Sequence, residues 1–407
     1  MTYAEAVQYL FEQLPMFHRI GAAAYKPDIG NILKLCNQLG NPHLQFKSIH
    51  VAGTNGKGST SSLIASALME QGLKVGLFTS PHLLDFRERM RINGIKISES
   101  FVTHFVLENK ATWEQIQPSF FEITTAMAFS FFAREKVDIA IIEVGMGGRL
   151  DSTNIIQPEL TVITSIGKDH MQFLGDTIEK IAFEKAGIIK NNTPVILGNI
   201  ESGATQVIEQ VALSKNAEVI HAKNIQAPSS ALQGNYQIEN EKTAFAALSE
   251  LQQLGWKLNA ESIRLGFENV IRNTKLRGRW EMINQSPLTI AEVAHNEDGI
   301  RFLCEKLNSY NNTNIHVVLG MVADKDHQEV LSLFPKKANY YFCHANIPRA
   351  LPAAELQRKA AAVGLTGEAY HSAEQALNAA KKHALNEDLI VVTGSIFTVA
   401  EILPPED

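Results

Sequence analysis

The sequence predicts an α/β protein of two domains, a large one on a mainly parallel sheet and a smaller α/β one behind it. Three observations predict it. Short apolar runs alternate with amphipathic helical stretches over most of the 407 residues, the rhythm of βαβ units with helices on both faces of a sheet. The first apolar run leads into a Gly-rich turn that opens a helix. The rhythm then pauses at a polar, Pro-containing turn at 284–287 and starts again.

In chain order, buried strands are expected at 48–52, 74–78, 137–144, 160–166 and 194–197. Helices between them are expected at 59–70, 121–134 and 177–186. Two consecutive helices, 244–254 and 261–270, close this part. After the pause, strands are expected at 288–293, 315–319, 340–343 and 389–393, with helices at 299–307, 353–363 and 373–384. The division is therefore 1–285 and 286–407, joined near Gln285. A cleft between two such domains is a common place for a nucleotide and a second substrate.

Composition removes several function classes. Hydrophobic residues are 45% and charged ones 20%, which excludes wholesale disorder. Lys plus Arg number 37 against 43 Asp plus Glu, a net charge of −6 that disfavours a coat for nucleic acid or an anionic membrane. Cys36, Cys304 and Cys343 are scattered without metal spacing, and neither zinc nor a disulfide framework is expected. The N-terminus lacks a basic start followed by an apolar run, and no stretch has the length of a membrane span. The expected setting is cytoplasmic.

The strongest local signal is GTNGKGST at 53–60. Glycines there let successive backbone N–H groups converge on phosphate oxygens, and the helix N-terminus adds partial positive charge. Thr54, Asn55, Gly56, Lys57, Gly58, Ser59 and Thr60 are thus candidate nucleotide contacts. Lys57 suits the terminal phosphates, and Ser59 or Thr60 a Mg²⁺ ion. The plain alternative is a Gly-rich strand-to-helix turn with a solvated lysine; the strand before it and the helix after it favour the P-loop reading.

Three further segments end expected strands, where ligands of open α/β sheets collect. They carry Ser80 and His82, then Glu143 and the GMGGRLDSTN turn, then Lys168, Asp169 and His170. Glu143 follows an apolar strand, so its carboxylate needs a cation or a hydrogen-bonded partner. Magnesium is one answer and a structural ion pair the other. Arg87, Arg89 and Arg91 alternate in a loop-like run, read either as an exposed basic face or as a clamp on substrate.

Taken together these residues resemble the folylpolyglutamate synthase/dihydrofolate synthase branch of the Mur-type ligases. The resemblance rests on GTNGKGS, TSPHL at 79–83, ERMRING at 88–94, FFEITTAMAF at 120–129, EVGMGGRLDSTN at 143–154 and IGKDH at 166–170. It continues through EKAGIIK at 184–190, RGRWE at 277–281, LGMVADKDH at 319–327 and GSIFTVAE at 394–401. It implies a Rossmann-like second domain and an ATP-dependent ligase in which a carboxylate of dihydropteroate or a reduced folate is phosphorylated, then attacked by the amine of L-glutamate. By position, Ser80, Glu143 and His170 would hold Mg²⁺, and Lys185, as a carbamate, a second ion. Lys57, Lys185 and His170 would be catalytic.

The same resemblance implies that Arg279, Glu292 and His295 contact ATP, in a cleft between the domains. The family's usual Asp is Glu292 here, and Glu297 stands where proline is usual. Arg87, Arg89, Phe121 and Thr125 would face the pterin substrate, together with the 22–31 stretch, and at least one of Phe120 and Phe121 is expected in the core. The implied partners are small molecules, with no nucleic acid or membrane, and the implied state is a monomer. Two other readings compete. A Mur-type ligase of a UDP-linked cell-wall precursor would need an extra N-terminal domain, for which fewer than 50 residues leave no room. A non-catalytic nucleotide-binding regulator would have lost Lys57, Ser80, Glu143 or His170, all of which stand.

Overall fold

A computed structural model describes residues 1–14, 28–310, 314–323 and 327–406. Residues 22–27 of the expected substrate-facing stretch and 324–326 of LGMVADKDH lie outside them. The chain divides into two compact units, one of residues 1–231 and 237–276, the other of 232–236 and 277–407.

The first unit is built on eight strands: β1 Lys47–Ala52, β2 Val75–Phe78, β3 Met90–Ile92, β4 Ile95–Lys96, β5 Ile139–Glu143, β6 Leu160–Ile163, β7 Val195–Leu197 and β8 Val219–His221. Their order is β4-β3-β2-β5-β1-β6-β7-β8. All pairs from β2 to β8 are parallel. Central strands are buried throughout, as expected of a sheet covered on both faces. Each strand expected here from the sequence is present, its ends displaced by at most three residues.

The 87–94 run is the exception, and the exposed-face reading of it is corrected. Phe86–Arg89 is a 3₁₀ helix, and β3 and β4 form an antiparallel hairpin on the sheet edge. Its turn is Asn93-Gly94, with φ of 46° and 78°, the two-residue connection that Asn-Gly favours. Arg89 and Arg91 are buried at 2% and 5% exposure.

Two helices of this unit set the site. Lys57–Glu70 follows the Gly-rich turn and is buried continuously from Ser59 to Leu68. Its small residues allow close approach of the Ala260–Glu268 helix, where Gly266 packs on Ala67 and accepts a bond from Ser66 Oγ at 2.6 Å. Phe120–Glu135 begins at a reciprocal cap, Ser119 and Glu122 each binding the other's backbone N–H. Its apolar face joins a core with Phe78, Met90 and Ile142.

The second unit holds β9 Glu281–Gln285, β10 Leu288–Ala291, β11 Ile315–Gly320, β12 Asn339–Cys343, β13 Gly367–Ala369 and β14 Leu389–Thr393, in the order β13-β12-β11-β14-β10-β9. Only β9 is antiparallel. The joint expected near Gln285 therefore falls inside this unit. β9 pairs with β10 across the 286–287 turn, so the unit takes up the chain from Arg277 onward. β9 was invisible to hydropathy because its residues are half exposed. Among the described residues no helix is long and apolar enough to cross a membrane.

Candidate active site

The Gly-rich loop leaves β1 between β5 and β6. The backbone dictates glycine at two points. Gly53 has φ of 153°, and a Cβ there would stand 1.9 Å from Thr164 Oγ1; Gly56 has φ of 83°, and a Cβ would stand 2.2 Å from Asn240 Oδ1. The loop is strapped to the segment after β6. Thr54 N donates to Ser165 O at 2.8 Å, Asn55 N to Ser165 Oγ at 2.9 Å, and Thr164 Oγ1 to Asn55 O at 2.6 Å. Gly167 N donates to Thr54 Oγ1 at 3.0 Å. Lys57, Gly58, Ser59 and Thr60 then form the first turn of the Lys57–Glu70 helix, with Thr60 Oγ1 buried and without a hydrogen-bond partner.

Two lysines converge on one carbonyl. Lys57 Nζ donates to Gly53 O at 3.1 Å and Thr54 O at 3.2 Å, and Lys185 Nζ donates to Gly53 O at 2.8 Å. Lys185 lies near the end of the Ile178–Ala186 helix and is buried at 4% exposure. Burial, and secondarily the Lys57 ammonium, push its pKa down to about 7, while Asp169 and Asp151 pull the other way.

Glu143 is the last residue of β5, in register with Val51 of β1, and is 4% exposed. Its Oε2 accepts from Ser80 N at 3.1 Å, which brings the strand end after β2 to the strand end after β5. His170 stands on the segment after β6 with φ of 53°, caps the short Met171–Leu174 helix, and holds its ring Nε2 3.9 Å from Asp169 Oδ1. Among the described residues no group of three or more His, Cys, Asp and Glu is poised to enclose a metal. One carboxylate with a neighbouring Ser suits Mg²⁺, which keeps waters and takes phosphate oxygens as ligands.

The TSPHL and ERMRING segments pack together. Arg87 donates to Asp85 at 3.0 and 2.6 Å, pairs with Glu99 at 3.2 Å and covers the Tyr3 ring at 5.0 Å. Its guanidinium is committed to the fold of this loop. Arg89 instead donates from Nε to His82 Nδ1 at 2.8 Å, and its Nη2 is buried without a hydrogen-bond partner. Phe120 is core at 3% exposure, whereas Phe121 is half-buried and lies against Gly145. Thr125 is fully buried with an unpartnered Oγ1, although its neighbour Thr124 bonds back to Phe120 O at 2.7 Å.

Three residues here were not singled out from the sequence. Asp151 is buried and accepts from Met146 N at 3.0 Å, Thr153 N at 2.9 Å and Thr153 Oγ1 at 2.5 Å; burial raises its pKa against those bonds. Asn240 and Gln237 stand on the first turn of the Gln237–Gln253 helix, Asn240 against Gly56, and Gln237 Nε2 is buried without a partner. Asp151 was masked by turn-forming neighbours, and Gln237 and Asn240 by lying on an ordinary helix far along the chain.

In the second unit Glu292 follows β10. Its Oε2 accepts from Tyr236 Oη and Trp280 N, each at 2.9 Å. Burial raises its pKa, opposed chiefly by the Arg279 guanidinium. Arg277 and Gly278 N both bind Glu281, fixing the RGRWE turn in which Trp280 takes φ of 49°. His295 Nδ1 lies 3.0 Å from Val293 O.

A phosphate loop at the carboxyl edge of a parallel sheet, flanked by a buried carboxylate and two lysines, defines a nucleotide-phosphate-binding α/β protein. Comparison with known proteins narrows this. Residues 51–265 match the Mur ligase middle domain and residues 278–396 the Mur ligase glutamate ligase domain. The chain is 34% identical to the dihydrofolate synthase/folylpolyglutamate synthase of Bacillus subtilis (strain 168), over 93% of this chain and 94% of that protein. It superposes on Escherichia coli FolC in complex with DHPP and ADP with a TM-score of 0.86 at 30% identity, covering 99% and 97% of the two chains. A bifunctional folylpolyglutamate synthase/dihydrofolate synthase with Mn, AMPPNP and L-glutamate bound gives 0.84 at 29% identity, covering 99% and 97%. The chain belongs to the Mur ligase family, among its dihydrofolate synthase/folylpolyglutamate synthases.

Proposed function

We infer that this protein is an ATP-dependent ligase that joins L-glutamate to dihydropteroate and to reduced folates, releasing ADP and phosphate. The observation that carries the reading is the phosphate loop with Lys57 and Lys185 on the Gly53 carbonyl and Glu143 at the adjacent strand end. Relatives of the same length carry both synthase names, and solved relatives bind ADP, a divalent metal and L-glutamate.

The chemistry follows from charge. An oxygen of the substrate carboxylate attacks the γ-phosphorus of ATP, the bond to ADP breaks, and an acyl phosphate forms. The glutamate amine then attacks the acyl carbon, loses a proton, and expels phosphate. The first step brings an anion onto a polyanion, so it needs fixed positive charge and donors on the transferred group. The amides of residues 54–60 supply donors, and Lys57 turns from the Gly53 and Thr54 carbonyls to the terminal phosphates. Ser80, Glu143 and His170 would hold Mg²⁺, and Lys185 as a carbamate a second ion; such ions would supply neutralising charge for the phosphates. A Lys185 amine with its pKa near 7 is substantially neutral just above that pH, the form that reacts with CO₂.

Arg89, Phe121 and Thr125 face the pterin-bearing substrate, each supported by an unpartnered buried polar atom or a half-buried ring. Arg87 braces their loop. In the second unit Arg279, Glu292 and His295 contact the nucleotide; the longer Glu292 spends its extra reach on Tyr236 and Trp280 N. The protein acts as a monomer on small molecules.

Measuring ADP release from ATP by purified protein tests the reading. Release should require L-glutamate together with 7,8-dihydropteroate or tetrahydrofolate. A folded protein stimulated by neither pterin would overturn it.

A further inference from the structure

His82 belongs to neither the phosphate loop nor the metal-binding residues, yet Arg89, Phe11 and Phe86 all contact its ring. Arg89 Nε donates to its Nδ1 at 2.8 Å. A guanidinium has donors only, so Nδ1 is the acceptor, and the neutral imidazole carries its proton on Nε2. The ring is held on one face by Phe11, stacked at 6.0 Å with 7° between planes, and at its edge by Phe86 at 6.3 Å. Its own chain segment is pinned as well: Leu83 N and Leu84 N donate to Glu88 at 2.7 and 3.1 Å, and Ser80 N to Glu143.

Arg89 is held at three places and open at one. It lies over the Phe120 ring at 5.3 Å, is tied by Nε to His82, and feels the carboxylates of Glu143 and Glu88. Its Nη2 is buried with no hydrogen-bond partner. A buried unpaired donor on a charged group is costly and rare in a folded chain. Such a donor close to the carboxylate that ends β5 is suited to a second anion, and the reacting anion of the ligase reaction is a carboxylate.

We propose that His82 is a positioning residue for the ligase reaction, fixing the Arg89 guanidinium so that its unpartnered Nη2 meets the reacting carboxylate of the pterin substrate. The proposal rests on the reading of Arg89 as a substrate contact. Phe11, on the Tyr3–Gln13 helix, locks the imidazole plane and so links that helix to substrate binding.

Steady-state kinetics of His82→Ala, His82→Asn, Arg89→Ala and the His82→Ala/Arg89→Ala double variant test it, each checked for folding by thermal unfolding. His82→Ala should raise KM for dihydropteroate roughly 10- to 100-fold, the effect of losing a hydrogen bond to a charged group, with KM for ATP within about twofold. His82→Asn, which keeps a neutral acceptor at similar reach, should recover most of the loss. In the Arg89→Ala background, His82→Ala should add little. Unchanged dihydropteroate KM in His82→Ala, Asn no better than Ala, or additive losses in the double variant would each overturn the proposal. Arg89→Ala reads out the underlying assignment separately: an unaltered KM there removes Arg89 from the substrate site, whereas a raised KM beside an unaffected His82→Ala overturns only the role of His82.

Discussion

Lys57 and Lys185 share a single acceptor, the Gly53 carbonyl, and two ammoniums that close in a buried place repel each other. The fold buries Lys185 deeply, and that burial, with the Lys57 ammonium second, pushes its pKa down. Conversion to a carbamate would replace a repelling cation with an anion. Lys185→Ala should therefore lose about 100-fold or more in turnover, with part of the loss restored by added short carboxylates such as acetate or propionate. An Ala variant of unaltered activity would contradict a catalytic role for this lysine. At this scale the sequence was most legible where a residue type is dictated by backbone, as at Gly53 and Gly56, or by burial of charge, as at Glu143. It was least legible for the arginines. Spacing made Arg87 and Arg89 equivalent, yet a carboxylate two residues before Arg87 captures it, while Arg89 turns inward to His82.

Elements carry the site by where they end. The carboxyl ends of β1, β2, β5 and β6, and the segments that follow them, place Lys57, Ser80, Glu143 and His170 along one edge of the first sheet, and β1 is tied below that edge through His50. Its Nε2 lies 2.8 Å from Thr153 Oγ1, which donates to Asp151, so the central strand is joined to the turn that packs on the backbone of Glu184 and Lys185. Burial, with a contribution from Lys190, pushes the His50 pKa down to about 3. In the unfolded chain His50 takes up a proton as pH falls below about 6.5, whereas the folded protein resists it until about 3. Stability is thus lost as pH falls through that window. Denaturant unfolding at pH 6 and pH 4 should show wild type losing roughly 2–3 kcal/mol more than His50→Asn between the two; equal losses would contradict it. Strands and helices with strong apolar periodicity were legible from the sequence because burial on both faces leaves long apolar runs. The β3–β4 hairpin and β9 were not, since short edge strands with exposed faces carry no such run. The Asn93-Gly94 turn was the available signal for the hairpin.

Over the whole molecule, two α/β units account for both family domains, with the boundary at Arg277 rather than Gln285 because β9 completes the second sheet. The net charge of −6 coexists with buried cations at 89 and 185 and a half-buried one at 57, each placed by the fold beside carbonyls or carboxylates rather than spread as a surface field. That pattern fits small anionic substrates. In the proposed reaction, amide formation proceeds through transfer of a phosphoryl group to the substrate carboxylate. The most direct measurement is mass spectrometry of the phosphate released when dihydropteroate carrying ¹⁸O in its carboxylate is turned over with ATP and L-glutamate. An acyl phosphate leaves one carboxylate oxygen on phosphorus, so one ¹⁸O should appear in phosphate for each glutamyl amide made. Amide formed with unlabelled phosphate would contradict an acyl-phosphate route.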